Sequence, residues 1–384
     1  MARAGLGSAW QTLFANDFDP MKGRAYAQSW GAERLVVGDV HALTIADLPG
    51  HAALAWASSP CQDLSLAGKR GGLNGARSGA FFGFWRLILA LMEEARAPDT
   101  LVIENVTGLF SSHGGADFTA LCQVLATAGY AYGAVEMDAA DFLPQSRPRM
   151  FMIASRSSAV DALAGPAPSA HFHTRRVLSA HERLPAELQP GWRWWRLPTP
   201  PRRNMSLADL LEADDVVRWH EPDATARLVS LLAPLQKARL DQIIARRDRC
   251  TGAVFRRTRT TSDGRQQRAE ARFDGLAGCL RTSGGGSSRQ FLLVVQGNNV
   301  RSRQMTPREA ARLMGLPDSY PLPKSTTAAL HLAGDGVAVP VVRWLSEHLL
   351  LPLAGAAGSQ ASAPSDLSPL SRLSSLSTRT RVLP

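Results

Sequence analysis

The stretch TLVIENV at residues 100–106 decides the fold class of this chain. Four residues suited to a buried strand run together and end at Glu104, a pattern typical of strands covered on both faces. Helical spacing of apolar residues follows at 81–95 and 118–128, between further strand-like runs at 35–37, 54–57, 132–135 and 150–154. This alternation predicts an α/β fold with a mostly parallel sheet and helices on both of its faces.

Candidate functional residues follow three of the predicted strands. In parallel sheets, ligands bind beyond the carboxyl ends of the strands, where Asp39, Cys61 and Glu104 fall. Cys61 has the chemistry of a nucleophile, although most free cysteines are simply small buried residues. Glu104 would be partly desolvated, which raises a carboxyl pKa and suits a proton donor; the alternative is a helix cap or salt-bridge partner.

Two arginines stand at the start of another predicted strand. Arg147 and Arg149 alternate along it, so both side chains point to one face. There they would bind a phosphate or a carbonyl oxygen, and plain surface charge is the alternative.

The charge of the chain is basic and unevenly placed. The 384 residues carry a formal net charge of +10, with eleven Lys and Arg against four acids between Lys237 and Arg272. A one-sided basic patch is typical of nucleic-acid binding, and a solvated charged surface is the alternative. The four cysteines are scattered without a C-x-x-C pair, which favours a reducing cytoplasm and no metal site. We expect no membrane span and no signal peptide.

Four regions are predicted along the chain. Residues 1–155 form the catalytic and cofactor-binding core, 156–295 a smaller, irregular lobe, 296–352 a segment returning to the core, and 353–384 a disordered tail. In the returning segment, Thr306, Pro307 and Glu309 predict a capping box that opens a helix. We also expect a last helix over about 339–350 and surface positions for His171 and His173. The tryptophans at 192, 194 and 195 are expected to pack within the lobe.

Several ordered motifs resemble those of the cytosine-5 DNA methyltransferases. They are Ser59-Pro60-Cys61-Gln62, Glu104-Asn105-Val106, Gln145-x-Arg147-x-Arg149, Arg303 to Gly315 and Gly334-Asp335-Gly336-Val337. The resemblance implies an S-adenosylmethionine-dependent, Rossmann-like catalytic core. It also implies that the lobe at 156–295 is the target-recognition domain.

The resemblance also implies catalytic roles. Cys61 would attack carbon 6 of a cytosine flipped out of the duplex, and Glu104 would protonate ring N3. Carbon 5 would then take a methyl group from S-adenosylmethionine. Asn105 would position the nucleophile loop, and Arg147 and Arg149 would hold the base carbonyl and nearby backbone.

The cofactor site is implied in the same way. Asp17 would bind the ribose hydroxyls, Phe18 would stack on adenine, and the segment of Asp39 and Val40 would read the adenine. Further cofactor-binding positions implied by the motifs are Pro60, Asp335 and Val337. Asp335 stands where the family often has asparagine, so one hydrogen-bond donor is lost.

The implied partner is double-stranded DNA, with a cognate restriction endonuclease as a further possible partner. We expect a cytoplasmic, nucleoid-associated monomer without membrane contact. Two alternatives stay open: a transfer-RNA cytosine-5 methyltransferase, and a catalytically inactive DNA-binding relative. The basic lobe favours DNA over transfer RNA.

The beginning of the chain departs from the family pattern. Counting back from Asp17, Met1 falls just after the expected glycine-rich loop, so the first strand and its loop are expected to be absent. Either Met1 is an internal methionine of a longer protein, which we favour, or the chain is a truncation with little activity. Translating the DNA upstream of Met1 would separate these explanations.

Overall fold

The computed structural model describes residues 1–59, 79–261, 264–281 and 289–358. The strands in these ranges are β1 (Ala15–Asp17), β2 (Leu35–Val37), β3 (Leu54–Ala57), β4 (Thr100–Val106), β5 (Ala131–Asp138), β6 (Pro148–Ser155), β7 (Ala164–Gly165), β8 (Trp194–Trp195), β9 (Cys250–Thr261), β10 (Gly264–Arg272), β11 (Gln290–Gln296) and β12 (Asn299–Gln304). The α-helices are α1 (Ala2–Leu6), α2 (Pro20–Trp30), α3 (Ala80–Glu93), α4 (Ala116–Thr127), α5 (Val160–Leu163), α6 (Arg175–Glu182), α7 (Pro222–Ser230), α8 (Pro234–Arg246), α9 (Pro307–Leu313), α10 (Thr326–Asp335), α11 (Val339–Leu345) and α12 (Leu351–Gly358).

The first 155 residues contain a four-stranded sheet in the order β3-β4-β6-β5. β3 and β4 are parallel, as predicted, whereas β6 runs antiparallel to both β4 and β5. The connection from Asp138 to Pro148 is too short for the crossover that a parallel neighbour requires, so β6 reverses direction. β1 and β2 form a separate parallel pair, and no strand among the described residues joins β1 to β3.

Two apolar clusters cover the faces of this sheet. Val102 and Phe151 contribute to one cluster, while Leu101, Ile103 and Met152 contribute to the other, and all five side chains are buried. Alternation along the strands therefore fills both faces, which is why the strands read as continuous apolar runs. Burial on both sides holds the carboxyl end of β4 in a fixed place.

The lobe at 156–295 is more regular than predicted. It contributes three strands of an antiparallel sheet ordered β10-β9-β11-β12, with α7 and α8 packed on one face. β12 belongs to the same sheet, so the predicted boundary at 295 cuts the β11–β12 hairpin. Sequence patterning missed β10 because its exposed residues are mainly Arg and Gln, without an apolar alternation.

Trp192 and Trp195 pack against the core sheet and its helices, whereas the sequence predicted packing within the lobe. Trp195 is fully buried, and its Nε1 donates to the carbonyls of Gly133 and Ile153 at 3.1 and 3.2 Å. Trp192 is also buried. His173 is buried rather than on the surface, because its Nδ1 accepts a hydrogen bond from the Ser169 amide at 2.8 Å.

The segment returning to the core begins with the predicted capping box. The Thr306 hydroxyl accepts from the Glu309 amide at 3.2 Å, and the Glu309 carboxylate accepts from the Thr306 amide at 2.9 Å. At the other end, α12 continues to Gly358, so the predicted tail does not begin at 353. Leu353 is fully buried, which anchors the extra helical turn; residues 359–384 lie outside the described ranges.

One helical stretch, Thr326–Gly355, is long and apolar enough to be considered as a membrane span, with mean hydropathy 1.3. Its most apolar window is 56% buried inside the protein, and the core helices of soluble proteins pass the same test. It is therefore weak evidence for a membrane span.

A buried ion pair holds the antiparallel sheet to α9. Arg303 and Glu309 side chains are each 1% exposed, and Arg303 Nη1 donates to Glu309 Oε2 at 2.7 Å. We predict that Glu309→Gln lowers the free energy of unfolding by about 3–5 kcal/mol, because it leaves the Arg303 charge buried without a counter-charge. Chemical denaturation measures the difference.

The matched control for this substitution is Glu94→Gln. Glu94 pairs with Arg96 at 2.6 Å but is 44% exposed, so its loss should cost less than about 1 kcal/mol. Equal effects of the two substitutions would contradict the structural role of the buried pair.

Candidate active site

Glu104 lies at the carboxyl end of β4, the strand with which the sequence analysis began. Its carboxyl is 8% exposed, and Arg149 Nε lies 3.3 Å from Oε1. Burial raises the pKa of Glu104 above its ordinary value of 4.5, while Arg149 and a hydrogen bond from Ser58 oppose that rise. The net upward shift favours the protonated acid closer to neutral pH.

Asn105, the next residue, ties β4 to the end of β3. Its Nδ2 donates to the Ser59 carbonyl at 3.0 Å, and its Oδ1 accepts from the Val106 amide at 2.9 Å. Ser58 and Ser59 are therefore held against the β4 terminus through Glu104 and Asn105. The predicted nucleophile Cys61 and its neighbour Pro60 lie outside the described residues.

Arg147 donates to backbone carbonyls of two other segments, and its contact with the base carbonyl stays a prediction. Its side chain is 2% exposed; Nη1 donates to Leu280 O at 2.7 Å, and Nη2 donates to Gly334 O at 2.7 Å and Gly336 O at 2.6 Å. The guanidinium thus joins the start of β6 to two distant segments. Burial lowers the pKa of Arg147, and nearby Arg149 lowers it further.

Arg149 is the arginine that faces the Glu104 carboxyl. Besides its contact with Glu104, its Nη1 donates to Pro148 O at 2.9 Å. Arg147 and Arg149 still share one face of the chain, as their alternation predicts. Their tasks differ because only Arg147 meets the three backbone carbonyls.

Sequence reasoning missed Cys279, which lies beside both guanidiniums. Its Sγ is 3.3 Å from Arg147 Nη1 and 4.0 Å from Arg149 Nη2. The residue arrives there because Leu280 N donates to Gln145 Oε1 at 3.1 Å and Ala277 N donates to Pro144 O at 2.7 Å. No local motif around Cys279 signals this contact, which is made across more than a hundred residues.

The ends of β1 and β2 bring the predicted adenosine-binding residues together. The register pairs Asp17 with Val37, so Phe18 and Asp39 leave neighbouring strands at the same edge. The Phe18 ring is 75% exposed, and Val37 is also exposed. An exposed aromatic ring at an edge that also carries Asp17 and Asp39 fits an adenosine group, which would cover the ring and form hydrogen bonds through its ribose hydroxyls.

The remaining predicted cofactor residues lie at two places. Asp335 pairs with Lys22 on α2 at 2.7 Å, and Asp17 also attracts Lys22, so the end of α10 is joined to the β1 edge. Val337 is buried just beyond it. Val40 opens a short 3₁₀ turn, where its side chain packs on Gly83 of α3.

No cluster of three or more His, Cys, Asp or Glu side chains suited to a metal ion occurs in the part of the chain that the structure describes.

Comparisons with known proteins agree with this arrangement. A family profile described as C-5 cytosine-specific DNA methylase matches residues 2–350. The chain is 25% identical to the type II methyltransferase M.NlaX of Neisseria lactamica, over 90% of each protein. It is 23% identical to M.HhaI of Haemophilus parahaemolyticus, covering 88% of this chain and 87% of that protein.

Among solved structures, a DNMT2 mutant from Spodoptera frugiperda resembles the fold with a TM-score of 0.54. It covers 91% of this chain and 93% of that one at 17% sequence identity. The likeness at this identity concerns the fold. Together with the family match over nearly the whole length, it makes this chain a member of the C-5 cytosine-specific DNA methylase family.

Proposed function

We propose that this protein methylates carbon 5 of a cytosine within a specific duplex DNA sequence, using Cys61 as nucleophile and Glu104 as acid. The observation that carries the proposal is the buried Glu104 carboxyl beside Arg149 at the end of β4. A carboxyl with a raised pKa suits proton donation to a ring nitrogen. Asn105 supports the same reading, because it holds Ser59, two residues before Cys61.

Cys61, Glu104 and Arg149 would each have a separate role in the reaction. The Cys61 thiolate adds to carbon 6 of the flipped base, and Glu104 donates its proton to N3, so that carbon 5 becomes nucleophilic. After methylation the carbon-5 proton is lost to solvent, and the N3 proton returns to Glu104. The ring double bond between carbons 5 and 6 then re-forms as the Cys61 thiolate is expelled. Arg149 stabilises Glu104 once that residue is ionised.

The methyl donor proposed for this site is S-adenosylmethionine, which supplies an electrophilic methyl group when bound. Phe18 would stack on its adenine, and Asp17 and Asp39 would bind polar groups of the adenosine. The exposed Phe18 ring supports this assignment, since such a large apolar surface is otherwise left in water. Asp335 and Val337 would border the same site.

A place in a restriction–modification system is proposed from the relatives, whose printed names are type II methyltransferases. A cognate endonuclease that cuts the unmethylated sequence would then be the functional partner. The basic lobe would keep the protein on chromosomal DNA as a monomer in the cytoplasm. Sequencing of methylated cytosines in cells that express the protein would identify the methylated DNA sequence. A cognate endonuclease would cut that same sequence when it is unmethylated.

The proposed activity predicts a covalent intermediate. With radiolabelled S-adenosylmethionine, the full chain should label duplex DNA, and it should form a denaturant-stable adduct with 5-fluorocytosine duplexes. Cys61→Ser should abolish the adduct and reduce labelling by about 10³-fold or more, because the nucleophile is lost. Cys250→Ser on β9 is the matched control, and this variant should still form the adduct and label duplex DNA.

Two results would contradict this proposal. Label appearing in transfer RNA but not in duplex DNA would favour the RNA alternative. Specific DNA binding without any transfer of label would identify a catalytically inactive relative.

The raised pKa of Glu104 predicts a pH-dependent effect on stability. The folded state prefers the protonated carboxyl, so this preference stabilises the protein below the ordinary pKa and is lost as pH rises through the folded pKa. Glu104→Gln cannot ionise. The free energy of unfolding of the variant minus that of the wild type should therefore be more positive at about pH 8 than at about pH 5. A difference that is the same at both pH values would refute the shift.

A further inference from the structure

The β9–β10 hairpin extends beyond the sheet to which it belongs. β11 pairs with β9 only from Cys250 to Phe255, whereas β9 and β10 stay paired up to Thr261 and Gly264. Within the described ranges, residues 256–261 and 264–269 therefore form a two-stranded ribbon without a third strand. We call these residues the outer ribbon.

The outer ribbon is strongly basic and exposed. It contains five arginines and no acid, and residues 264–268 are all exposed. Glu270, just beyond the ribbon, faces Arg257, but the ribbon itself carries no carboxylate, and Arg257 and Arg268 repel each other across the ladder. Such a concentration of charge suits a polyanionic partner.

The register divides the ribbon side chains between two faces. Arg268 lies directly opposite Arg257, and Glu270 lies opposite Phe255, so these four side chains share one face. Arg265 is three residues from Arg268 and points to the other face. We call the first of these the Arg257 face.

The Arg257 face is continuous with the candidate active site. Phe255 Cδ1 lies 3.7 Å from the place where a Cβ on Gly278 would stand, so the ring neighbours Gly278, and Gln290 Nε2 donates to Gly278 O at 2.7 Å. Gly278 precedes Cys279, whose sulfur lies 4.0 Å from Arg149 Nη2. The opposite face begins with Val254, which packs in the apolar cluster of α7 and α8, away from this site.

Arg257 is held in a defined orientation on this face. Its guanidinium lies 4.9 Å from the centre of the Phe255 ring, and its Nε is 3.6 Å from Glu270 Oε1. Stacking and the ion pair reduce the conformational entropy that a contact with DNA would cost. Arg268 stands beside it and has no carboxylate partner among the described residues.

We propose that the outer ribbon enters the DNA major groove with its Arg257 face toward the base edges, where Arg257 and Arg268 read guanine. This inference rests on the proposed function. The major groove admits a two-stranded ribbon, and the arginine fork matches the O6 and N7 acceptors of guanine. Arg265, on the other face, is assigned to phosphate contact. The guanines lie next to the target cytosine, because the Arg257 face leads directly to Arg149.

The test uses the full chain and a randomised duplex library that surrounds one fixed cytosine. Bound duplexes are selected and sequenced for the wild type and for Arg268→Gln, Arg257→Gln and Arg265→Gln. Arg268→Gln should lose a guanine preference at one position and move it toward adenine, which glutamine reads through N6 and N7. Affinity for the wild-type site should fall about 5- to 150-fold. Arg257→Gln should weaken the guanine preference at a neighbouring position of the selected motif.

Arg265→Gln is the matched control, since it makes the same change in charge on the same strand. It should weaken binding to all sequences alike and leave the selected motif intact. The slope of log affinity against log salt concentration should become shallower by about one. If Arg268→Gln and Arg257→Gln behave in this same way, the ribbon contacts only phosphates and the inference is wrong. If the wild-type chain selects no duplex at all, the proposed function itself fails and the inference with it.

Discussion

The buried guanidinium of Arg147 is the interaction on which the geometry of the candidate site depends. It joins β6 to the carbonyl of Leu280 and to those of Gly334 and Gly336, which belong to parts of the chain far apart in sequence. Each carbonyl is withdrawn from water and needs a donor, and the buried charge needs several acceptors. One guanidinium supplies the donors for all three carbonyls, so the three segments are held in one arrangement.

Gln145 reinforces this junction from two residues away. Its fully buried amide donates to Leu313 O at 2.6 Å and accepts from Leu280 N at 3.1 Å. The short stretch from 144 to 149 therefore connects the core sheet, residues 277–280 of the lobe and the returning helices. Arg149 lies in the same stretch. The hydrogen bonds of Gln145 and Arg147, rather than its own contacts, therefore fix its position beside Glu104.

How far the sequence predicts this structure depends on what each residue contacts. Glu104 could be placed at a strand end because its neighbours are apolar on both faces, and the Thr306 cap is a local pattern of three residues. The three carbonyl partners of Arg147 could not be predicted, because no sequence pattern identifies which backbone carbonyls a buried arginine will meet. The outer ribbon escaped prediction because a strand exposed on both faces has no apolar alternation, and the contacts of Cys61 lie outside the described residues.

The division of tasks between the two arginines explains how Glu104 keeps a raised pKa in a basic site. Two guanidiniums directed at one carboxylate would favour its ionised form and lower its pKa. Arg147 instead directs its Nη atoms to three carbonyl dipoles, and its attraction is the weakest of the influences on Glu104. Of the two arginines, Arg149 faces the carboxyl closely, at 3.3 Å, and burial outweighs that attraction. The site thus combines a buried carboxyl of raised pKa with two neighbouring guanidiniums, one of which is directed toward backbone carbonyls.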